Sequence, residues 1–478
     1  MLRFFKDFCL YGLVGLIGKI AALFLLPVYT NILSREEYGV MTLIFTCSGI
    51  IDLVSNLNLH SGITRDYYED GVDRKRLVST GFFSILGLSI FILIILLLTR
   101  QFWIERVLSL DVGYNLAVVL MMLSIPAASL QSYFAILTRF KKKALLFSVG
   151  AFIGLVIRIG TALLCVVHFR TGIMGIFLGE LLAQMFCAIF YAFINREFLA
   201  ITIDWTYLRR ALLFALPTLP AILAGWLDTS AGQIMISKYI SVSDLGVYSL
   251  ALSITSVFTL LNTALQNVWS PYLYENYKLD SFRQQVRKLF TVFMVVIIVI
   301  SVMLSLFSKE IILLLSNEGY LAATKYVTLL TIPAVLYLLF PIASSGISIS
   351  RDTKHLGIAY IIGTSINLLV LFFAIRKFGV IAVPACLALS RLAAYVYMYV
   401  ISNRHGTFDL PNWMVALFLL VMTALVFVND YDLTLAMRVA IAAVLVLSLA
   451  FWICAKFNVR AMWLKINEKM KVDKQQQQ

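Results

Sequence analysis

Seven ionisable side chains stand inside stretches that are otherwise apolar: Lys19, Asp52, Arg158, Glu180, Asp228, Arg391 and Arg438. Each costs about 2.5–3.5 kcal/mol at the centre of a membrane-spanning helix, so each calls for a partner or a function. Cations in a wet cleft can hold a diphosphate. Lys19, a compact ammonium, and Arg158, a planar fork of donors, are the leading residues for that role. Carboxylates in the same setting can load and release an ion, a task open to Asp52, Glu180 and Asp228. A cation–anion pair that only fixes packing is the competing reading, above all for Lys19 and Asp228. Arg438 stands near the end of its apolar stretch and is expected to snorkel to the interface.

A second set is mostly uncharged. Ser48, Asp52, Ser55 and Leu59 recur at helical spacing, and Thr255, Thr259, Asn262 and Gln266 repeat the pattern further on, with His60 matched by Asn267. Such a stripe either bonds to neighbouring helices or lines a cleft. Asn262, Gln266 and Asn267 are the candidates for gripping a glycan, with aromatic faces from "NVWSPYLYENY". The six cysteines all fall in apolar runs without CxxC pairing, and the four histidines lack metal-ligand spacing. Neither a metal nor a cofactor is expected. No phosphate-binding glycine loop is present, so direct ATP coupling is not expected either.

The elements that position these residues follow from composition. Of 478 residues 61% are hydrophobic and only 13% charged, which excludes a water-soluble domain and makes the bilayer the solvent. Apolar stretches of about 18–25 residues recur throughout, each able to cross about 30 Å of hydrocarbon as a helix. The expected fold is all-α and polytopic, with about fourteen spans. Six run at 8–33, 40–60, 77–99, 112–138, 144–169 and 172–195. Six more run at 207–237, 244–268, 288–316, 322–346, 355–375 and 379–402, and a last pair at 412–429 and 434–455. The first is too long for a signal peptide and lacks a cleavage site, so it reads as a retained helix.

Most of the 39 Lys and Arg residues fall at the N-terminus, in the even-numbered connections and in the tail, which places both termini in the cytoplasm. The net charge of +14 reflects this bias and contact with anionic lipid rather than a nucleic-acid site. The chain also repeats itself at one constant spacing. Ser34, Glu37 and Gly39 in "LSREEYGVMTL" match Ser241, Asp244 and Gly246 in "ISVSDLGVYSL"; "SIPA" at Ser124 matches "TIPA" at Thr331; Gly172 matches Gly379. Two halves with an even number of helices share one orientation, giving a parallel repeat with a central cleft. The expected organisation is an N-lobe at 1–200, a C-lobe at 201–405, a helix pair at 406–456 and a cytoplasmic tail at 457–478. Gly12, Gly15 and Gly18 with Pro27, and Pro217 with Pro220, make the first and seventh helices bendable.

The segment "LPVYTNILSREEYGVMTL", the polar second helix and "SVSDLGVYSL" resemble the polysaccharide repeat-unit flippases of the multidrug/oligosaccharidyl-lipid/polysaccharide exporter superfamily. The resemblance implies translocation of undecaprenyl-diphosphate-linked O-antigen or capsule units between leaflets of a bacterial inner membrane, without enzymatic chemistry. It implies two six-helix lobes around a charged cleft, and membrane lipid, a glycan polymerase and chain-length regulators as partners. Fourteen helices is similar to the lipid II flippase branch, whereas many polysaccharide members have twelve. A multidrug or cation antiporter of the same superfamily stays open through Asp52. A major-facilitator transporter stays open through "GVDRKR", and a membrane glycan polymerase is the enzymatic alternative, although no long loop is available for its catalytic residues.

Overall fold

In the computed structural model the chain is built of helices, and no strand occurs among the described residues. These are residues 2–457 apart from 68, 142, 280, 351, 353, 406–409 and 430–433, with side chains from Ile17 onward except those of 112, 405, 446 and 449–457. Most of the expected tail, the first two glycines of the first helix, Cys9 and Cys454 therefore lie outside what can be described.

The order is α1 (Leu2–Ile32), α2 (Arg35–Asn56), α3 (Leu59–Asp66), α4 (Arg74–Leu98), α5 (Arg100–Phe102), α6 (Asn115–Phe140), α7 (Ala144–Leu163) and α8 (Ile173–Ile194). It continues with α9 (Trp205–Ala215), α10 (Leu219–Tyr239), α11 (Val242–Thr255), α12 (Val257–Asn276), α13 (Phe282–Leu306), α14 (Ser308–Leu315) and α15 (Ala323–Leu338). Last come α16 (Phe340–Ala343), α17 (Ser345–Ser350), α18 (Lys354–Phe378), α19 (Ala382–His405), α20 (Trp413–Val428) and α21 (Leu435–Phe457). Ten helical runs are long and apolar enough to cross a bilayer, and shorter apolar helices lie at Ile17–Ile32, Trp413–Val428 and Leu435–Leu445. One of the ten runs holds both α18 and α19, which turn at Gly379 with φ +63°. Fourteen crossings remains the reading of the sequence.

Two breaks and one extension refine the expected spans. The second helix ends at Asn56, because Leu57 and Asn58 take left-handed conformations (φ 46° and 53°) and the Asn58 amide turns back to Asn56 Oδ1 at 2.9 Å. The polar stripe from Ser48 is thus cut before Leu59 and His60. The seventh breaks at "LPTLP", where a 3-10 turn over Leu216–Thr218 joins α9 to α10, as proline there requires. The stretch "NVWSPYLYENY", read as following the eighth helix, is instead largely helical within α12, with Pro271 inside it.

The chain forms two compact units: Met1–Ile254 with Leu314–Tyr320 and Gly357–Ser390, and Thr255–Leu313 with Leu321–Leu356 and Arg391–Gln478. In the first, α8 packs along α6 and α7, and α4 along α6. Buried tyrosines there spend their hydroxyls on helix backbone: Tyr133 donates to Val78 O and Tyr191 to Phe147 O, each at 2.8 Å. In the second, α13 meets α15, α20 and α21. Asn429 at the end of α20 donates to Thr328 Oγ1 at 2.9 Å and Ser305 O at 3.2 Å. Arg438, expected to snorkel, is ion-paired within this unit. Its Nη1 donates to both oxygens of Glu310 at 3.0 and 3.2 Å, since a carboxylate in reach neutralises it where it stands.

Candidate functional site

The first unit contains a polar cavity of about 250 Å³. Helix α2 supplies Ser48, Gly49 and, one turn on, Asp52; α6 supplies Ser124, Gln131 and Ser132, α7 supplies Arg158, and α8 supplies Gln184. The guanidinium of Arg158 lies 2.8 Å from Glu180 Oε2, without hydrogen-bond alignment, so charge rather than direction holds the pair. Glu180 is 9% exposed and accepts from Gln184 Nε2 at 2.6 Å. Asp52 Oδ1 accepts from Ser129 Oγ at 3.3 Å. A cation, a carboxylate, amides and hydroxyls therefore converge in one small cavity, with Glu180 paired to Arg158 beside it.

A separate polar cluster surrounds Asp228. Its Oδ1 accepts from Ser390 Oγ at 3.1 Å and Asn367 Nδ2 at 3.3 Å, and the same amide reaches the Asp228 carbonyl at 3.1 Å. Thr364 Oγ1 donates to Ala224 O at 3.1 Å, which fastens α18 to α10. Lys19 is half-buried on α1, a helix that packs along α7. In the second unit Asn262 is buried and accepts from Gln266 Nε2 at 3.1 Å, whereas Gln266 and Asn267 are exposed.

Of the residues singled out by sequence, Asp52, Arg158 and Glu180 come together, Asp228 forms its own cluster, and Asn262, Gln266 and Asn267 belong to the other unit. Gln131, Gln184, Asn367 and Ser390 were missed. Their signal was available, because amides and hydroxyls inside apolar runs also need partners, but a search for charge passes over them.

The repeated hinge has a geometric meaning. Ser34 and Glu37 form a capping box on α2: the Glu37 amide donates to Ser34 Oγ at 3.1 Å and the Ser34 amide to Glu37 Oε2 at 2.8 Å. Ser241 caps α11 likewise, accepting from the Asp244 amide at 2.9 Å and donating to Asp244 Oδ2 at 2.6 Å. Five residues beyond each cap, the helices touch. A β-carbon on Gly39 would overlap the Val242 carbonyl, and one on Gly246 the Arg35 carbonyl. Leu314–Tyr320 straps the contact: Asn317 Nδ2 donates to Thr30 O at 2.8 Å and Arg35 Nη1 to Gly319 O at 3.1 Å.

No curated protein matches the sequence. Among solved structures, the chain is similar to the lipid II flippase MurJ in an inward closed conformation, with TM-score 0.71 and 14% identity over 94% of this chain and 99% of that one. It is similar to a multidrug resistance MATE family transporter of the MOP superfamily, inward-facing, with TM-score 0.65 and 14% identity over 84% of this chain and 98% of that one. An outward-facing MATE structure gives TM-score 0.55 at 14% identity, over 86% and 96%. These likenesses establish a fold shared with flippases and transporters, and with ten apolar runs they make this a multi-pass membrane protein. The polysaccharide biosynthesis protein family matches residues 28–325, well over half of the sequence, and the chain belongs to that family.

Proposed function

We propose that the protein flips undecaprenyl-diphosphate-linked oligosaccharide repeat units from the cytoplasmic to the periplasmic leaflet of a bacterial inner membrane. Movement is by alternating access of the two sequence-related lobes, 1–200 and 201–405, driven by an ion gradient. The observation that carries this reading is the cavity where Arg158 stands among Gln131, Gln184, Ser48 and Ser132. A guanidinium suits a diphosphate, and amides and hydroxyls suit a sugar. Membership of the polysaccharide biosynthesis protein family supports the glycan as cargo. The polyprenyl tail needs only apolar surface and stays in lipid while the head crosses.

Lys19 is the second cation assigned to the diphosphate, and Asn262, Gln266 and Asn267 are assigned to the glycan. Asp52, Glu180 and Asp228 are assigned to coupling, Asp52 foremost because it lines the cavity, whereas Asp228 accepts hydrogen bonds from Asn367 and Ser390. A glycan polymerase and chain-length regulators act on the delivered unit.

A second reading, export of cationic drugs, draws on Asp52 at the cavity wall. One experiment separates them: surface glycan and drug resistance are measured in a strain lacking its own flippase, with and without this protein. Restored glycan without resistance supports flipping; resistance without glycan overturns it.

A further inference from the structure

The loop joining α7 to α8 is held in a costly shape. Arg170 adopts a left-handed backbone, φ +52°, a region non-glycine residues rarely enter, and Gly172 follows at φ +60°. The loop is pinned onto the end of the preceding helix: the amides of Phe169 and Thr171 donate to Leu164 O at 3.1 Å and Cys165 O at 3.0 Å. Thr171 Oγ1 adds a bond to the Cys165 carbonyl at 3.1 Å. Strain kept up by so many bonds places one side chain. That side chain lines a cavity of about 590 Å³ with Glu37, Thr171, Ile32, Leu33 and Val167.

The two charges in this cavity are not spent on each other. Among the described residues Arg170 makes no hydrogen bond or ion pair. Glu37 commits Oε2 to the Ser34 amide, while Oε1 faces Gly172. Beside Thr171 and Gly172, the lining includes the apolar Ile32, Leu33, Val166 and Val167, and Ile32 and Val167 are 43% and 49% exposed near the ends of apolar helices, where acyl chains give way to headgroups. A cation without a partner among the described residues, a carboxylate with one oxygen outside the helix cap and an apolar rim describe a zwitterionic amphiphile.

We propose that this cavity binds a phosphoethanolamine lipid, its phosphate on Arg170, its ammonium on Glu37 and its acyl chains along Ile32 and Val167. An anionic lipid satisfies Arg170 but is repelled by Glu37. A choline headgroup carries no N–H to donate to the carboxylate.

The test reconstitutes the full chain in phosphatidylcholine nanodiscs doped with phosphatidylethanolamine or phosphatidylglycerol, and counts retained lipid by native mass spectrometry. The wild type retains phosphatidylethanolamine in preference to both other lipids. Arg170→Asn, a residue suited to left-handed backbone, weakens retention about tenfold, the worth of one charge-assisted contact. Arg170→Lys restores part of it. Glu37→Gln keeps the α2 cap and narrows the preference for phosphatidylethanolamine over phosphatidylglycerol. Equal retention of those two lipids by the wild type, or unchanged retention in folded Arg170→Asn, overturns the assignment. Displacement of the lipid by millimolar inorganic phosphate overturns it too, and marks a free-phosphate site.

Discussion

Arg158 and Glu180 form a pair with unequal surroundings: the guanidinium side chain is 43% exposed and the carboxylate side chain 12%. Removing the cation leaves a buried charge with Gln184 as its remaining partner, and breaking buried pairs costs about 3–5 kcal/mol. Exposure of Arg158 reduces this to about 1–2 kcal/mol here. Arg158→Ala is therefore expected to lower the melting temperature and abolish glycan export. Adding Glu180→Gln should recover the melting temperature without recovering export. Recovery of both in the double variant would make the pair structural only. For Lys19 the expectation is loss of export in Lys19→Ala with normal membrane levels, and partial export in Lys19→Arg, which keeps charge but not point geometry. Wild-type glycan from Lys19→Ala removes it from the site.

At the scale of elements, the hinge contact between α2 and α11 is close enough that one methyl group matters. Gly39→Ala or Gly246→Ala should destabilise by about 1–3 kcal/mol through overpacking against backbone that cannot rotate away. Gly87→Ala in α4, with open space around it, should be neutral or slightly stabilising. Equal melting temperatures for all three in detergent would contradict the contact. A second element-level prediction concerns the turn after α6. Lys141 Nζ lies 2.6 Å from Glu197 Oε1 beyond α8, and this ammonium holds the exposed Glu197 carboxyl below its ordinary value. Burial meanwhile pulls Lys141 below its own ordinary value, so the pair's acid-side behaviour is set by the carboxylate. A depressed carboxyl contributes stability above its unfolded pKa, near 4, and loses it as pH falls through the lower folded value. Melting temperature should therefore drop more steeply below about pH 4 in the wild type than in Glu197→Gln.

For the whole molecule, the charge bias predicts sidedness. A cysteine introduced at Lys143 should react only with reagent that enters the cell, and one introduced at Arg170 with reagent outside the inner membrane. The opposite pattern would invert the direction of transport.

The helical, membrane-spanning character was legible because apolar runs long enough to cross hydrocarbon leave the backbone no other way to satisfy its hydrogen bonds. The matched hinge residues were legible as well, but that Ser34 and Ser241 cap α2 and α11 came from the structure. Which polar residues meet was not legible. Arg158, Glu180, Asp52 and Gln184 sit on three different helices, and nothing along the chain states which helix faces turn toward one another. The same holds for Asn367 and Ser390 around Asp228, and for Glu310 beneath Arg438. Sequence determined that costly groups needed partners, because burying charge has a known penalty. Only the tertiary structure chose the partners, because that choice depends on helix rotation and contact across the fold.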